Sequence, residues 1–483
     1  MVFVLTFKRE LLASILIALL IGCSVVYNIY LSTLILFFIL ILFLAINYKK
    51  SLFLLVFILP FEKMFFPVLI DMRPIKWFLI ILILLVFLLI QIKERRKLLS
   101  TPYDSWILLF ILVLFLTSFT GIFPIMSLYY SSQYIFIFIF FWLIVQIFSS
   151  VDYLHKLVNI IFISAAVVLI YGLIDYKYSL TTSYVQTSFL YNIFFKFYFA
   201  DSTLFTHVND FRTPVGVRTT SLFTNPNIFG AYLSGTIIFI NAFIFYKNYN
   251  FKKYLLLLYI VSIFLLILTF SKGAILSTFV GLFFFFLIKR DTGNKSFIVI
   301  LFILIILIIF VFFVLPISLF SFDDILNSLG IKYNDILQTG YRLKLWSISF
   351  NIIKDNLLFG VGSNALKFVL PFYDLIGIYY KNISHSHNLF LNMIVEYGIM
   401  GFILYVWFII NFFYTSFKMY YECNDSFYKT IILSILCIGI SRIVHEFFDS
   451  GFSIGVNSAA FVFWLLLAIN SIIYNLIAKE KGI

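Results

Sequence analysis

The sequence predicts an all-α polytopic integral membrane protein with about 12–14 transmembrane helices and two long outer loops. Of its 483 residues, 63% are hydrophobic and only 11% are charged, whereas a soluble domain is about half apolar and a quarter charged. A bilayer core of roughly 30 Å needs about 20 apolar residues per helical crossing. Runs such as 296–316 meet this length and are apolar on every face. This composition excludes a soluble enzyme.

Polar residues, glycines and prolines divide the apolar sequence into fourteen predicted spans. In chain order they cover 11–28, 31–47, 51–66, 74–92, 105–123, 133–149, 157–175, 227–246, 254–270, 272–288, 296–316, 388–412, 429–447 and 455–477. The third span contains Pro60 and Glu62. It is therefore either a full crossing or a half-helix at the membrane interface.

The distribution of basic residues predicts the orientation of the chain. With the N-terminus in the cytoplasm, nineteen of the 34 Lys and Arg residues lie on inner segments. Ten of the other fifteen lie in long outer loops, which the positive-inside rule does not count. Both termini are then cytoplasmic. The predicted regions are N-terminal transmembrane helices over 1–175, a first long outer loop over 176–226, central transmembrane helices over 227–316, a second long outer loop over 317–387, and C-terminal transmembrane helices over 388–483.

No cofactor is predicted. The chain has neither a GxxxxGK[ST] loop nor a GxGxxG turn after a strand, so nucleotide chemistry is not supported. Its three cysteines lack metal-ligand spacing, so no metal site is expected. The net charge of +13 comes from clusters beside the spans, which is typical of topology signals rather than of a nucleic-acid surface. No nucleic-acid partner is expected.

The second outer loop contains residues that could carry chemistry. Arg342 and Trp346 lie in a predicted amphipathic helix on the membrane surface that begins near Gly340 and ends at the turn of Gly360 and Gly362. Polar loops held on a rigid scaffold are common places for functional sites. We therefore seek function on the outer face.

His387 begins the following span, with Ser384, Ser386 or Asn388 available as the N-cap. The positive end of the helix dipole favours the neutral imidazole, which can act as a base. The structural alternative is an interfacial side chain bonded to headgroups or water, and this alternative is stronger for His385. Glu396 lies half a turn around the helix, which excludes a His387–Glu396 dyad within that helix.

Cationic residues stand at the start of two central spans. Arg212 and Arg218 precede an Asn-Pro helix start at Asn225, and Lys272 lies in a tight turn between two spans. A guanidinium beside helix-start N–H groups can bind phosphate oxygens. Attraction to lipid headgroups is the alternative for all three cations.

A stripe of ionisable residues lies near the outer end of the penultimate span. Arg442, His445, Glu446 and Asp449 are spaced by three, four and seven residues and share one helix face. Placing ionisable side chains near lipid costs free energy unless the side chains are paired. They form either a buried ion network, which we favour, or the wall of a polar cavity.

Four pieces of the sequence, taken in order, resemble the O-antigen ligase and polymerase superfamily of bacterial surface polysaccharide assembly. The pieces are Arg218 with Asn225, Pro226 and Asn227; Ser271, Lys272, Gly273 and Ala274; Arg342 and Trp346 with Leu358, Gly360, Val361 and Gly362; and His387, Asn388 and Leu391 with Glu396, Gly398 and Gly401. They cover about 218–401. Each lies at the outer face of the predicted topology.

This resemblance implies a membrane glycosyltransferase of the C-type architecture, in the cytoplasmic (inner) membrane with its site on the outer face. It would move a glycan from undecaprenyl diphosphate to an acceptor hydroxyl without nucleotide or metal. Arg218, Lys272 and Arg342 would stabilise the departing diphosphate, and His387 would be the general base. Supporting residues are Arg212, Asn388, Arg442, His445 and Glu446. The family commonly has Arg where this chain has Lys272, which lacks the bidentate fork.

The implied partners are an undecaprenyl-diphosphate-linked oligosaccharide donor, a glycan, lipid or protein acceptor, and membrane lipids. The resemblance covers both polymerases and ligases, and the high span count with large outer loops favours a polymerase. Two other classes stay open. A flippase or exporter predicts a charged path that continues to the cytoplasmic side, and a non-catalytic scaffold predicts cations that lie far apart among headgroups.

Overall fold

The computed structural model describes residues 47–66, 68–95, 97–181, 212–213, 216–246, 249, 251–289, 334–373 and 385–481. The helices within these ranges are α1 (Tyr48–Ile58), α2 (Arg73–Glu94), α3 (Asp104–Thr120), α4 (Pro124–Ile147), α5 (Val151–Thr181), α6 (Pro226–Ile244), α7 (Lys252–Leu268), α8 (Lys272–Ile288), α9 (Asn334–Asp355), α10 (Leu366–Tyr373), α11 (Leu389–Glu422), α12 (Ser426–Glu446) and α13 (Ser458–Glu480). Two short antiparallel hairpins pair β1 (Lys63–Phe66) with β2 (Val68–Asp71) and β3 (Arg212–Thr213) with β4 (Gly216–Val217).

The protein is an all-α polytopic membrane protein, as the sequence predicts. Seven described helices are long and apolar enough to cross a bilayer, namely α2, α4, α5, α6, α11, α12 and α13, and α3 and α8 are shorter apolar helices. Ten predicted spans coincide with helices of the structure. The spans 11–28, 31–47 and 296–316 lie outside the described residues, apart from Asn47.

The described chain divides into two compact units. One contains residues 47–55 and 78–97, and the other contains residues 56–77 and the described residues from 98 onward. Every candidate site residue belongs to the second unit. Its centre is formed by α6, α8 and α12, which pack against one another. Small residues permit this close packing: Gly230 faces Ala274, and Ser234 hydrogen-bonds Ser441 at 2.6 Å.

The predicted third span, 51–66, is helical only as far as Ile58, and the β1–β2 hairpin follows it. Helix α1 has 11 residues, about 16 Å of length. Beyond it, Glu62 is 2% exposed and accepts hydrogen bonds from Thr224 N at 2.9 Å and Ser458 N at 2.7 Å. Lys76 is also buried and donates to Leu59 O at 2.6 Å. These buried groups tie the segment to the starts of α6 and α13.

Helix α11 contains a break at Gly398, where φ is 65°. The turn that follows α9 pairs with this break: Val361 N donates to Val395 O at 2.8 Å, and Gly362 N donates to Glu396 O at 3.0 Å. A Cβ on Gly398 would overlap Leu358 O, and a side chain disfavours positive φ. The third and fourth sequence pieces therefore form one packed unit.

Candidate active site

A chain of hydrogen bonds joins Arg218 to His387. Arg218 Nη2 donates to Asn227 Oδ1 at 2.7 Å, and Asn227 Nδ2 donates to Asp449 Oδ2 at 2.8 Å. The other carboxylate oxygen, Asp449 Oδ1, lies 3.2 Å from His387 Nδ1. Three separate parts of the sequence thus meet at one place: the start of α6, the end of α12 and the start of α11.

Arg218 is fixed from two sides. Its Nε donates to Thr269 O at 2.7 Å, in the turn between α7 and α8. The residues after it are held by Asp175 of α5, whose Oδ2 accepts from Thr220 N at 3.1 Å and Ser221 N at 3.0 Å. Burial lowers the pKa of Arg218 to about 10, although Asp449 raises it. The guanidinium therefore stays charged at neutral pH.

Asn227 is positioned by the start of α6. Asn225 is the N-cap of this helix, and its side chain accepts from Asn227 N at 2.7 Å. Pro226 occupies the first helical position, where its missing N–H costs nothing. The Asn-Pro-Asn sequence thus starts the helix and directs the Asn227 amide between Arg218 and Asp449.

The loop that carries His387 is held by several polar contacts. His387 has a positive φ of 52°, which is uncommon for a residue other than Gly. Trp346 Nε1 of α9 donates to Ser386 O at 2.9 Å, and Ser386 Oγ donates to Asn388 O at 2.8 Å. Asn388 is the N-cap of α11 and accepts from Leu391 N at 3.1 Å. These contacts fix the imidazole beside Asp449.

Asp449 is the anionic centre of the site, with its side chain 7% exposed. Burial alone would raise its pKa, but the hydrogen bond with His387 and the nearby His385 and His445 hold the pKa well below its usual range. The carboxylate is therefore ionised. It can orient His387 with the proton on Nδ1, which leaves the Nε2 lone pair free.

Arg342 and the start of α8, which carries Lys272, lie near this chain of hydrogen bonds. Arg342 of α9 is close enough to lower the pKa of Arg218 by charge repulsion. Lys272 begins α8, and a Cβ on the adjacent Gly273 would lie 2.9 Å from His445 Cδ2. The α8 start therefore packs directly on the end of α12, four residues before Asp449.

Residues 255–406 match the family model of the O-antigen ligases. This match confirms the resemblance to the O-antigen ligase and polymerase superfamily. The matched region contains Lys272, Arg342 and His387, whereas Arg218 and Asp449 lie outside it. Family members are glycosyltransferase-like enzymes that use lipid-linked glycan donors and acceptors. No curated protein matches the chain.

The remaining predicted site residues have different surroundings. Glu446 accepts from Tyr405 OH and from Ser453 N, both at 2.6 Å, so its carboxylate is occupied within the protein. Arg442 is 3% exposed, and its Nε and Nη1 have no partner among the described residues. Arg212 lies in the β3–β4 hairpin, and its side chain is outside the described part.

Three residues make contacts in the site that the sequence did not indicate. Asp449 was expected only within a structural network, Asn227 only as part of a helix start, and His385 as an interfacial side chain. His385 Nδ1 instead lies 3.6 Å from Asp449 Oδ1. The available signal was the spacing of the Arg442–Asp449 stripe, which predicted a common helix face but not its partner.

His385, His387 and Asp449 form a group that could hold a metal ion. One ligand atom from each lies within 4.8 Å of the others. No metal-ligand spacing joins them in the sequence, because the two histidines precede α11 whereas Asp449, about 60 residues later, follows the end of α12.

Proposed function

We propose that the chain is a membrane glycosyltransferase that moves a glycan from undecaprenyl diphosphate to an acceptor hydroxyl. The observation that carries this proposal is the connection of Arg218 to His387 through Asn227 and Asp449. It joins a charged guanidinium to an oriented imidazole at one end of the helices. This juxtaposition is what a displacement at a carbon bound to diphosphate requires.

In the proposed reaction, His387 Nε2 accepts the proton of the acceptor hydroxyl. The hydroxyl oxygen forms a bond to the anomeric carbon, and the bond from that carbon to the diphosphate oxygen breaks. The negative charge leaves with the diphosphate, where Arg218, Lys272 and Arg342 stabilise it. Asp449 stabilises the imidazolium that His387 becomes. The proton therefore goes to His387, the electron pair of the acceptor oxygen goes to the anomeric carbon, and the diphosphate is the leaving group.

The charge pattern along the central helices supports transfer over transport. Helix α6 contains no Lys, Arg, Asp or Glu, α8 contains only Lys272 at its start, and in α12 no charged residue lies between Arg442 and Lys429, which is in the first turn at the opposite end. A flippase for an anionic lipid-linked glycan is expected to continue its polar path across the membrane. The clustering of cations at one end also argues against a scaffold that only contacts headgroups.

We assign the reaction to repeat-unit polymerisation, with ligation of finished glycan to a lipid or protein acceptor as the alternative. The site faces outward from the cytoplasmic membrane in this proposal, with both termini inside, as the basic residues indicate. The large outer loops over 176–226 and 317–387 favour a polymerase, since a growing chain and a second lipid-linked repeat both need room.

The experiment is incubation of purified protein in liposomes with undecaprenyl-diphosphate-linked repeat units, with products resolved by length. A ladder supports the polymerase, and single transfer to an added lipid or protein acceptor supports the ligase. Translocation of intact donor without any new glycosidic bond would overturn the glycosyltransferase proposal. The variant His387→Ala is the catalytic control, and His155→Ala is a matched exposed-histidine control.

A further inference from the structure

The geometry of His385, His387 and Asp449 approaches that of a zinc site. His387 Nδ1 and His385 Nδ1 lie 3.2 Å and 3.6 Å from the same oxygen, Asp449 Oδ1. Tetrahedral Zn²⁺ has bonds of about 2.0–2.2 Å to nitrogen and oxygen, which places ligand atoms about 3.3 Å apart. One ligand atom of each residue lies within 4.8 Å of the others, so side-chain rotations would bring all three atoms to one ion.

The donor set selects the class of metal. Two imidazole nitrogens with one carboxylate oxygen suit Zn²⁺ and its transition-metal neighbours, whereas Ca²⁺ and Mg²⁺ prefer oxygen ligands. Metal ligands must also be unprotonated. His385 Nδ1 accepts a hydrogen bond from His387 N at 3.3 Å, so this nitrogen presents a lone pair. A metal ion at Nδ1 would replace that hydrogen bond.

The surroundings of the group fit a metal that binds reversibly. Asn227 Nδ2 donates to the second carboxylate oxygen of Asp449, which is the kind of contact that orients metal ligands. The side chains of His385 and His387 are 31% and 29% exposed. A metal can therefore reach the group and keep water as a fourth ligand. The adjacent guanidinium of Arg218 opposes binding and keeps the affinity moderate.

We propose that His385, His387 and Asp449 bind one Zn²⁺ ion and that this ion inhibits glycan transfer. The inhibition of glycan transfer rests on the proposed function. With Asp449 as partner, His387 carries its proton on Nδ1 and offers the Nε2 lone pair as a base. A metal on Nδ1 forces the proton of the neutral ring onto Nε2. The imidazole can then donate but cannot accept a proton, and Asp449 no longer orients it.

The binding test uses full-length purified protein without a polyhistidine tag, titrated with Zn²⁺ against a chromogenic chelator of known affinity. We expect one Zn²⁺ per wild-type chain and loss of that site in both His385→Gln and Asp449→Asn. The matched control His155→Gln, which changes an exposed histidine elsewhere, retains the site. Wild-type protein that binds no Zn²⁺, or a His385→Gln variant that binds as wild type does, overturns the proposal.

The inhibition test measures transfer in liposomes with and without Zn²⁺. Wild-type protein is expected to lose at least tenfold in rate and to recover when a chelator is added, whereas His385→Gln transfers and resists Zn²⁺. Equal inhibition of both proteins overturns the inhibitory assignment. If the chain binds one Zn²⁺ but never transfers glycan, the metal site is supported and the proposed function is refuted. Transfer by a chain that binds no Zn²⁺ refutes only this inference.

Discussion

Asn227 Nδ2 donates a hydrogen bond of 2.8 Å to Asp449 Oδ2, although the two residues are 222 positions apart in the sequence. The same amide accepts from Arg218 Nη2. Asn227 is therefore the one described side chain that bonds both the cation and the carboxylate of the site. An amide is suited to this position because it has both a donor and an acceptor.

The bridging role of Asn227 predicts that Asn227→Ala slows transfer. Both lost contacts involve charged partners, and such hydrogen bonds are worth about 1.5–3 kcal/mol each. We therefore expect a fall of about 10- to 100-fold in kcat/KM with an unchanged amount of folded protein. Asn227→Asp should be worse than Asn227→Ala, because it places a second carboxylate beside Asp449. Steady-state transfer in liposomes measures both, and an Asp variant more active than the Ala variant would contradict the bridge.

His387→Ala is predicted to remove the general base. Loss of a positioned base costs about 10²–10⁴-fold in rate, so turnover should fall by that factor while membrane insertion and folding persist. Donor binding should persist too, because Arg218 and Lys272 remain. The measurements are transfer rate and retention of labelled donor by the purified variant. Full turnover by His387→Ala would exclude the base assignment, and His155→Ala controls for loss of an exposed histidine.

Sequence patterns predicted the fold well, because apolar length is a local property. Ten of the predicted spans coincide with described helices, and α8 matches its predicted range of 272–288. The early end of the helix within 51–66 has a physical cause. Pro60 and Glu62 indicate where the helix can end, but Glu62 is satisfied by Thr224 and Ser458, and these partners are too distant in sequence to be predicted.

The site was predictable in part. The resemblance gave Arg218, Lys272, Arg342 and His387, and each lies at the same end of the described bundle. Asp449 was visible only as one member of a helical stripe, because helical spacing reveals which residues share a face but not what that face contacts. Its side-chain partners come from the start of α6 and from the loop before α11, and such long-range contacts leave no local signal.

Lys272→Arg is predicted to preserve or raise activity. If Lys272 binds the departing diphosphate, a guanidinium restores the bidentate fork that the family commonly has. The expected change is a lower KM for the lipid-linked donor. Lys289→Arg, at the other end of α8, is the matched control and should change nothing. A loss of transfer in Lys272→Arg alone would mean that Lys272 has a different role.

The low pKa of His385 predicts a loss of stability in acid. The pKa is about 4 in the folded protein and 6.5 ordinarily, so the unfolded chain binds more protons between these values. Stability must therefore fall as pH drops from 6.5 toward 4. Thermal unfolding in detergent should show a smaller decrease of Tm over this window for His385→Gln than for wild type. Parallel curves for the two proteins would contradict the assigned pKa, and His155→Gln serves as the control.

Asp175 is predicted to position Arg218 without contacting substrate. Its Oδ2 accepts from Thr219 Oγ1 at 3.0 Å and from the backbone N–H groups of Thr220 and Ser221, which fixes the turn directly after Arg218. Asp175→Ala leaves these buried donors without a partner, at a cost of about 1–3 kcal/mol for each group. We expect a raised KM for the donor and a lower Tm.

Conservative replacement separates positioning by Asp175 from general damage to the fold. Asp175→Asn keeps an acceptor oxygen, so it should restore most of the donor KM that Asp175→Ala loses. Because Asp175 does not touch the reacting atoms in this assignment, kcat at saturating donor should change much less than KM in both variants. A fall in kcat with unchanged KM would instead place Asp175 in the chemical step and refute the positioning role.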